Sequence, residues 1–544
     1  MYIDTIPNRQ SPPAILLRES IRRGRHIHKH TIANISHWAP ERILAMKRAL
    51  RGDFDRLPEV TATNGPAFGL LYTLKTVADQ IGITAALGSK PMGKLALFLT
   101  LARVGDQGSR LSAVRWAHDQ AVSEVLGCPP FQEDDLYDAL DEVAQRQEAI
   151  ETKLYRRGIQ TQGQAPVLFL YDVTSSYLEG EHNELAEYGY DRDGKRGKKQ
   201  IVIGLLTEET GEPLSVKVFA GNTADCTTVA DQIQVIQKQF QAQEVVLIGD
   251  RGMIKWKGKE ELRKLLFSYI TALTDPQIRK LLQQKTIHYG LFEEKVCEVE
   301  AEGKRYILRR NEGEARKECR RLDDKLQKFR QRLEKRNAQV LGSPRCQPEA
   351  GLRNLQSWLK HHRLSAFVHL QLQDRQLQMV IDEEAQQEVH QLDGCYVIET
   401  NLRPSLLDTQ NTHDRYQDLQ RVEQDFRMMK TGLLEVRPIF LRKARRTRGH
   451  VLVCMLALKL ARELRRRLMA VYGTTETDRH TMTLEEALTA LNRLCLQYTP
   501  LEGQHTLTTF PRPDERQQRI LQALQIPWPQ PGKCRQAKKR SRHA

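Results

Sequence analysis

Two acidic residues follow runs of apolar residues that have the composition of buried strands. The run from Val167 to Tyr171 leads into Asp172, and the segment EVVLIGD ends at Asp250. Ligand-binding groups gather at the strand ends of an open sheet, so we expect the two aspartates to lie side by side. Paired carboxylates are hard oxygen ligands of the kind that Mg²⁺ prefers.

A third carboxylate, Glu423, lies on a helix predicted from Asp414 to Thr431. A helix that crosses the same strand ends would bring Glu423 to the two aspartates and complete a site for two divalent cations. Cations held about 4 Å apart activate a water or a 3′-hydroxyl and stabilise the leaving oxygen of a phosphodiester. These three residues therefore point to chemistry on a phosphodiester.

The helix around Glu423 carries further polar side chains at helical spacing. Residues seven apart return to nearly the same face of a helix, so Tyr416, Glu423 and Lys430 are predicted to share one face. The residues between them include Leu419, Phe426 and Arg427. The predicted carboxylate ligand is thus flanked by an aromatic hydroxyl and by cations suited to backbone phosphates.

The elements that would position these residues alternate strands with helices. Residues 161–275 predict a strand, a β-hairpin around a Thr-Gly-Glu-Pro turn, a helix, a strand, a helix and a strand. The segment YVIETNL resumes strand character, and a long helix from Arg442 to Leu468 follows it. We assign residues 161–275 and 396–470 to one α/β core with a mixed sheet.

The rest of the chain is predicted to surround or interrupt this core. Helical periodicity with Gly and Pro punctuation predicts a helical domain, whose role in binding DNA stays open. A charged amphipathic helix over 313–340 lies in a predicted insertion with strands of its own. The predicted regions are an N-terminal arm with one short helix (1–65), the helical domain (66–160), the insertion (276–395) and a C-terminal helical region with a basic tail (471–544).

Composition restricts the class of protein. The chain has 544 residues and a mass of 62.7 kDa, which suggests two to four domains. With 84 Lys and Arg against 68 Asp and Glu, the net charge is +16, and this favours a polyanionic partner such as DNA or RNA. The nine cysteines are scattered without a CxxC pair, which excludes a zinc ribbon and a disulfide framework. No secretory signal or membrane span is predicted, so we expect a cytoplasmic protein.

Four separated motifs resemble one family. They are YDVTSSYLEG, the segment from YGYDRDGK to GNTADCTT, VVLIGDRGM, and YQDLQRVEQDFRMMK followed by LEVRPIF and RGHVLVCMLALKL. In this order they look like bacterial insertion-sequence transposases of the DDE type, and more narrowly the insertion-sequence-four-like group. The resemblance runs from about residue 165 to 468. It implies an RNase H-like core that is interrupted by a β-containing insertion.

The resemblance also implies roles for individual residues. Asp172, Asp250 and Glu423 match the three catalytic carboxylates, which would hold two Mg²⁺ ions, with Mn²⁺ as a substitute. The family signature of Tyr, Arg, Glu and Lys reads Tyr416, Leu419, Glu423 and Lys430 here, so its arginine is replaced by leucine. Arg415 or Arg427 could compensate for that replacement.

The activity that the resemblance implies is DNA transposition. Hydrolysis at each element end frees a 3′-hydroxyl, which then attacks the opposite strand or target DNA. The implied partners are double-stranded DNA and a second copy of the chain in a synaptic complex on the bacterial nucleoid. Members of the group can also form a DNA hairpin, in which an aromatic side chain receives a flipped base. Trp358 is a candidate for that aromatic, and the alternative is that it packs in a hydrophobic core.

Several basic residues are predicted to contact DNA. Between Arg437 and Arg467 there are eleven Lys or Arg and one acid, Glu463. With an apolar stripe from Leu452 to Leu464 buried, the basic side of that helix would meet phosphates. The predicted DNA-binding residues are Tyr416, Arg427, Lys430, Arg251, Arg445, Arg446 and Arg448.

Other readings of these residues stay open. Asp193 and Asp225 are rival metal ligands, although the first fits a turn and the second fits a helix N-cap. His450 fits a structural role as well as a DNA contact. At the level of the whole chain, the alternatives are a metal-dependent nuclease without strand transfer and a DNA-binding repressor derived from a transposase.

Overall fold

The computed structural model describes the chain except residues 10, 54–62, 181, 191, 196, 294–295, 344, 431–433, 438, 474–481, 502–504 and 530–544. The chain divides into two compact units. The first comprises Met1–Ala67, Leu494–Asp514 and Pro527–Ala544, and the second comprises Phe68–Arg493 and Glu515–Ile526.

The described residues form sixteen strands and nineteen α-helices. The strands are β1 (Tyr2–Ile6), β2 (Ala14–Arg23), β3 (His26–Asn34), β4 (Thr63–Ala67), β5 (Leu168–Tyr177), β6 (Gln200–Glu208), β7 (Pro213–Ala220), β8 (Val246–Gly249), β9 (Ser268–Ala272), β10 (Cys297–Ala301), β11 (Lys304–Arg310), β12 (Val368–Gln373), β13 (Gln376–Ile381), β14 (Cys395–Thr400), β15 (Cys495–Leu501) and β16 (His505–Thr509). The helices are α1 (Pro40–Leu50), α2 (Gly69–Gln80), α3 (Ile83–Leu87), α4 (Pro91–Gly105), α5 (Arg110–Asp119), α6 (Val122–Leu126), α7 (Glu133–Gln145), α8 (Gln147–Gln162), α9 (Asp225–Gln234), α10 (Trp256–Lys264), α11 (Asp275–Gln283), α12 (Glu312–Gly342), α13 (Pro348–His361), α14 (Glu383–His390), α15 (Thr409–Gln417), α16 (Leu419–Lys430), α17 (Ala444–Tyr472), α18 (Leu484–Asn492) and α19 (Glu515–Ala523).

The first unit contains two small antiparallel sheets. Strands β1, β2 and β3 form one in that order, and β16, β15 and β4 form the other. The predicted helix of this region is present as α1, but the predicted arm without regular structure is wrong. Nearly every residue of β3 is exposed, so that strand has no hydrophobic alternation by which its sequence could be recognised.

Helices α2 to α8 occupy the region that was predicted to be helical. Helix α4 starts at Pro91. Most of its residues are apolar whichever side they face, as expected of a helix that is buried among its neighbours. Helix α7 begins with a capping box in which Gln132 and Asp135 satisfy each other's backbone N–H groups. It packs closely on α17 at Gly449, where a Cβ atom would lie 2.2 Å from the carbonyl oxygen of Leu140.

An eight-stranded mixed sheet forms the centre of the second unit, in the order β10-β11-β14-β9-β8-β5-β6-β7. Strand β5 pairs parallel with β8 and antiparallel with β6. The apolar run of β5 is buried on both faces of the sheet, as the sequence predicts. The strand continues to Tyr177, so Asp172 lies within β5 and not at its end.

The region predicted as an insertion has two parts. Strands β10 and β11 extend the main sheet, since β11 pairs with β14. Helices α12 and α13 and the β12–β13 hairpin have a separate apolar core that includes Phe329 and Phe367. Trp358 stacks on Phe329 with ring centroids 5.4 Å apart, which gives it a packing role.

The helix predicted from Asp414 to Thr431 is interrupted. Helix α15 ends at Gln417, and α16 starts at Leu419. Asp418 lies at the break, and its carboxylate forms ion pairs with Arg415 and Arg421. The prediction of one continuous helix is therefore wrong, although Tyr416 still contacts Asp250 of the cavity that Glu423 lines.

Candidate catalytic site

The sheet register brings Asp172 and Asp250 to one edge. Tyr171 of β5 pairs with Gly249 of β8 in parallel register, and each aspartate is the next residue along its chain. The predicted adjacency of the two carboxylates agrees with this register, although Asp172 lies inside β5 and Asp250 follows the end of β8. Asp172 is half-buried, whereas Asp250 is exposed.

Glu423 reaches the same place from α16, which packs against β5. Asp172, Asp250 and Glu423 all line one cavity of about 430 Å³. The cavity is lined by many side chains of both charges. Its acids are Asp172, Asp193, Asp225, Asp250 and Glu423, and its cations are Arg192, Arg251, Arg427, Lys430 and Arg437.

The three carboxylates interact electrostatically. Burial raises the pKa of Asp172 to about 7, and the negative charges of Asp250 and Glu423 act in the same direction. A hydrogen bond from the backbone N–H of Val173 opposes this shift only in part. A carboxyl with a pKa near neutrality in a cleft is typical of functional sites, because a cation or a proton is needed to offset the repulsion.

Tyr416 contacts the site from α15, despite the helix break. Its hydroxyl donates a hydrogen bond of 3.2 Å to Oδ1 of Asp250. Burial raises the pKa of Tyr416, and the charge of Asp250 adds to the effect, so the hydroxyl stays protonated and donates. Tyr416 thereby orients one of the three carboxylates.

Asp193 binds cations of the protein itself. Its Oδ1 accepts ion pairs from Lys430 at 2.8 Å and from Arg437 at 2.7 Å, and its side chain is 2 % exposed. It also accepts a hydrogen bond from the backbone N–H of Tyr177. Asp193 thus holds Lys430 at the cavity, which makes it a poor candidate for a metal ligand.

Asp225 is likewise engaged by a cation. The predicted N-cap role is wrong, because Ala224 is the N-cap of α9 and Asp225 is its first residue. The Asp225 carboxylate forms an ion pair with Arg192. The sequence did not single out Arg192 or Arg437 as residues of the site, since basic residues outside helices and strands have no distinctive spacing.

The remaining cations of the cavity lie near its acids. Arg251 directly follows Asp250 and forms an ion pair of 2.9 Å with Asp275. Arg427 is exposed and lies one helical turn after Glu423 on α16. Both side chains supply positive charge beside the carboxylates, which suits an anionic substrate.

Helix α17 buries the predicted apolar stripe, but it exposes basic side chains only near its two ends. Every residue from Val451 to Ala461 is buried, so the apolar surface is not a single stripe. Arg445 and Arg446 of its first turn bind α7, with Arg446 Nε 3.0 Å from Asp141 Oδ2. Arg448 is exposed. These contacts give Arg445 and Arg446 structural roles within the second unit.

His450 and Leu419 are both buried. His450 lies 3.4 Å from the carbonyl oxygen of Val436, and burial lowers its pKa well below the usual value. It is a neutral core residue, so a role in binding phosphate is excluded. Leu419 is 7 % exposed, and Arg415 is held in ion pairs with Glu209 and Asp418.

The donor set of the cavity fits a divalent cation in its chemistry. Three carboxylates line one cavity, and the pKa of Asp172 is raised first by burial and then by the charges of Asp250 and Glu423, which a cation would offset. Among the residues that the structure describes, no three His, Cys, Asp or Glu side chains are close enough to hold a metal as they stand. The same described residues include no helix long and apolar enough to cross a membrane.

Comparison with known proteins identifies the family. Residues 163–460, more than half of the chain, match the family model described as transposase DDE domain. A solved structure of the piggyBac transposase synaptic complex with hairpin DNA is similar at 10% sequence identity and a TM-score of 0.33, over 73% of this chain and 69% of that chain. The search of curated proteins gives no match. The matched segment contains Asp172, Asp250 and Glu423, and by this match the chain belongs to the DDE transposase family.

Proposed function

We propose that the chain is a bacterial insertion-sequence transposase of the insertion-sequence-four-like group, with an RNase H-like core. It would cleave DNA at the ends of its element and join the freed ends to target DNA. Asp172, Asp250 and Glu423 would be its catalytic carboxylates. The observation that carries the proposal is their convergence, from β5, the end of β8 and α16, on one cavity inside the matched DDE segment.

The proposed reaction has two steps at phosphorus. In cleavage, the oxygen of a water bonds to phosphorus, the bond to the 3′ oxygen breaks, and the element end leaves as a 3′-hydroxyl. In joining, that 3′ oxygen bonds to a phosphorus of the target and displaces the 3′ oxygen of the target strand. Neither step needs a covalent bond to the protein.

The carboxylates would bind two Mg²⁺ ions, or Mn²⁺, which when bound would polarise the phosphate and activate the attacking oxygen. Asp172 must lose its proton before it can act as a ligand, and its pKa of about 7 places that loss near neutral pH. Tyr416 holds the Asp250 carboxylate in one orientation through its 3.2 Å hydrogen bond. Deprotonation of Asp172 and the hydrogen bond from Tyr416 would thus ready the carboxylates for binding a cation.

The cations of the cavity would hold the DNA backbone. Lys430 is positioned by Asp193, and its ammonium group has further N–H donors for a phosphate oxygen. Arg427 and Arg251 line the same cavity as Glu423 and Asp250 and add positive charge to it. We expect two chains to hold two element ends in a synaptic complex on the nucleoid, as the family resemblance implies.

The proposal is tested by cleavage and joining on labelled duplexes that span the ends of the element, with unlabelled target DNA. Reactions contain Mg²⁺, Mn²⁺ or EDTA, and compare the native chain with Asp250→Ala. Asp324→Ala is the matched control, because Asp324 is an exposed aspartate of α12 outside the carboxylate set.

Cation-dependent cuts and joined products that disappear in Asp250→Ala and persist in Asp324→Ala would support the proposal. Cuts without joined products would replace it by a nuclease. Tight DNA binding without any cation-dependent product would replace it by a DNA-binding repressor.

A further inference from the structure

The hairpin formed by β2 and β3 concentrates positive charge in the first unit. We name residues 18–30 the N-terminal ribbon. In 13 residues it carries five Lys or Arg, three His and a single acid, Glu19. Charged side chains of this kind can simply face solvent. Whether they can bind a partner depends on the geometry of the two strands that carry them.

The ribbon projects beyond the strands that support it. Strand β1 pairs with β2 only as far as Arg18, so from Glu19 onward β2 pairs with β3 alone among the described residues. The turn at its tip has two residues, Gly24 and Arg25, and Gly24 has a φ of 62°. Such a tight turn, in which glycine takes the left-handed position, keeps the two strands in register to the end.

The side chains of the ribbon are available to a partner. Arg22, Arg25 and Lys29 are exposed, and within the described part of the chain they form no ion pair. Two large apolar side chains are exposed beside them, Ile21 at 42% and Ile27 at 63%. Because Arg22 faces Ile27 across the strands, one face combines a cation with an apolar contact.

Duplex DNA is the polyanion that this shape fits. Two strands lie about 4.8 Å apart, and a two-stranded ribbon enters the major groove, which is about 12 Å wide. Arginine donates to guanine edges and to phosphates, whereas an aliphatic side chain contacts the thymine methyl group. The ribbon offers both kinds of contact on two paired strands.

We propose that the N-terminal ribbon inserts into a groove of duplex DNA and supplies a DNA-binding site separate from the carboxylate cavity. The identity of the partner as the element's DNA rests on the proposed transposase function. Arg22, Arg25 and Lys29 bind phosphates and base edges, and Ile27 contacts the floor of the groove.

A competing explanation is that these charges only protect the free strand edges. Charged side chains on exposed strands prevent edge-to-edge aggregation without binding any ligand. The two explanations differ in DNA affinity, because protective charges would release no counterions from DNA. Salt dependence of binding therefore separates them.

The test measures binding of the full chain to fluorescent duplexes by anisotropy, in EDTA and in an Asp250→Ala background, so that cleavage plays no part. An element-end duplex, an unrelated duplex and a single strand are compared at several salt concentrations. In Arg22→Ala/Arg25→Ala/Lys29→Ala, we expect the duplex Kd to rise about 10- to 100-fold at ~0.1 M salt. The slope of log K against log salt should fall by about 2 to 3.

A second triple variant controls for the loss of charge. Arg320→Ala/Lys328→Ala/Lys335→Ala removes three exposed cations of α12 and should leave Kd and salt slope near those of the parent. The charge-preserving Arg22→Lys/Arg25→Lys should keep most of the salt slope. Ile27→Ser should reduce the preference for the element-end duplex and leave the slope unchanged.

Equal affinity and slope for the ribbon variant and its parent would overturn this inference, as would equal losses in both triple variants. Preferential loss of single-strand binding would also overturn it. Ribbon-dependent duplex binding by a chain that makes no cleavage products would refute the proposed function and leave this inference intact.

Discussion

The hydroxyl of Tyr416 donates a hydrogen bond to Oδ1 of Asp250 across 3.2 Å, and so links α15 to the end of β8. The two residues are far apart in sequence and meet although a helix break separates Tyr416 from Glu423. Because burial and the charge of Asp250 keep this hydroxyl protonated, it orients the carboxylate.

Tyr416→Phe removes this hydrogen bond and little else. A hydrogen bond to a charged group contributes about 1.5–3 kcal/mol, so we expect the single-turnover cleavage rate to fall about 10- to 150-fold. DNA affinity should change little. Tyr188→Phe, at an exposed tyrosine outside the cavity, is the control. An unchanged cleavage rate in Tyr416→Phe would show that the contact does not orient the carboxylate.

Asp172 should make stability depend on pH. Its pKa is about 7 in the folded chain against a usual value of 3.8, so the folded chain binds more protons than the unfolded chain between these two values. Its contribution to stability therefore falls as pH rises through that window. Without divalent cations, Asp172→Asn should be more stable than the native chain at pH 8, by on the order of 1 kcal/mol. The difference should shrink toward pH 4.

Thermal unfolding of both proteins at pH 4 to 8 measures this difference. Addition of Mg²⁺ or Mn²⁺ at pH 8 should stabilise the native chain and have less effect on Asp172→Asn. Identical pH dependence of the two proteins would contradict the assigned electrostatics.

Asp193→Asn should destabilise the second unit. The substitution leaves Lys430 and Arg437 without their shared partner in a site where Asp193 is 2 % exposed. We expect a loss of about 2–4 kcal/mol in the free energy of unfolding, measured with urea. Asp225→Asn breaks a more exposed ion pair with Arg192 and should cost less than about 1 kcal/mol. Equal losses in the two variants would refute this difference.

Leu419→Arg recreates the arginine of the family signature, but we expect no gain in activity. Leu419 is 7 % exposed, so an arginine there would bury a charge or disrupt packing, at a cost of about 2–4 kcal/mol. The exposed neighbour substitution Gln420→Arg should be nearly neutral. Faster cleavage by Leu419→Arg at unchanged stability would show that the leucine is a defect.

The adjacency of Asp172 and Asp250 was predictable because each follows a continuous run of apolar residues, as is typical of buried parallel strands. Their identity as strands followed from composition, and their adjacency followed from the geometry of open sheets. The position of Asp172 inside β5 was not predictable, because polar residues follow it and strand β6 nevertheless covers them.

Other features depend on tertiary contacts that leave no periodic signal. The break between α15 and α16 falls at Asp418, in a stretch that has no Gly or Pro to signal it. The role of Asp193 rests on cations more than 200 positions away in the chain. Strand β3 is mostly exposed, so it lacks the alternation by which strands are recognised.

The central claim is that Asp172, Asp250 and Glu423 act as one site. Its most direct test is the rate of strand transfer for Asp172→Asn, Asp250→Asn, Glu423→Gln and the triple variant, each with DNA affinity measured in parallel. The effects of substitutions at residues that act as a unit are not additive. Each single variant should therefore reduce the rate of strand transfer at least about 10³-fold, and the triple variant should reduce it no further than the most impaired single variant. Native-like strand transfer by any one of the three single variants would contradict the claim.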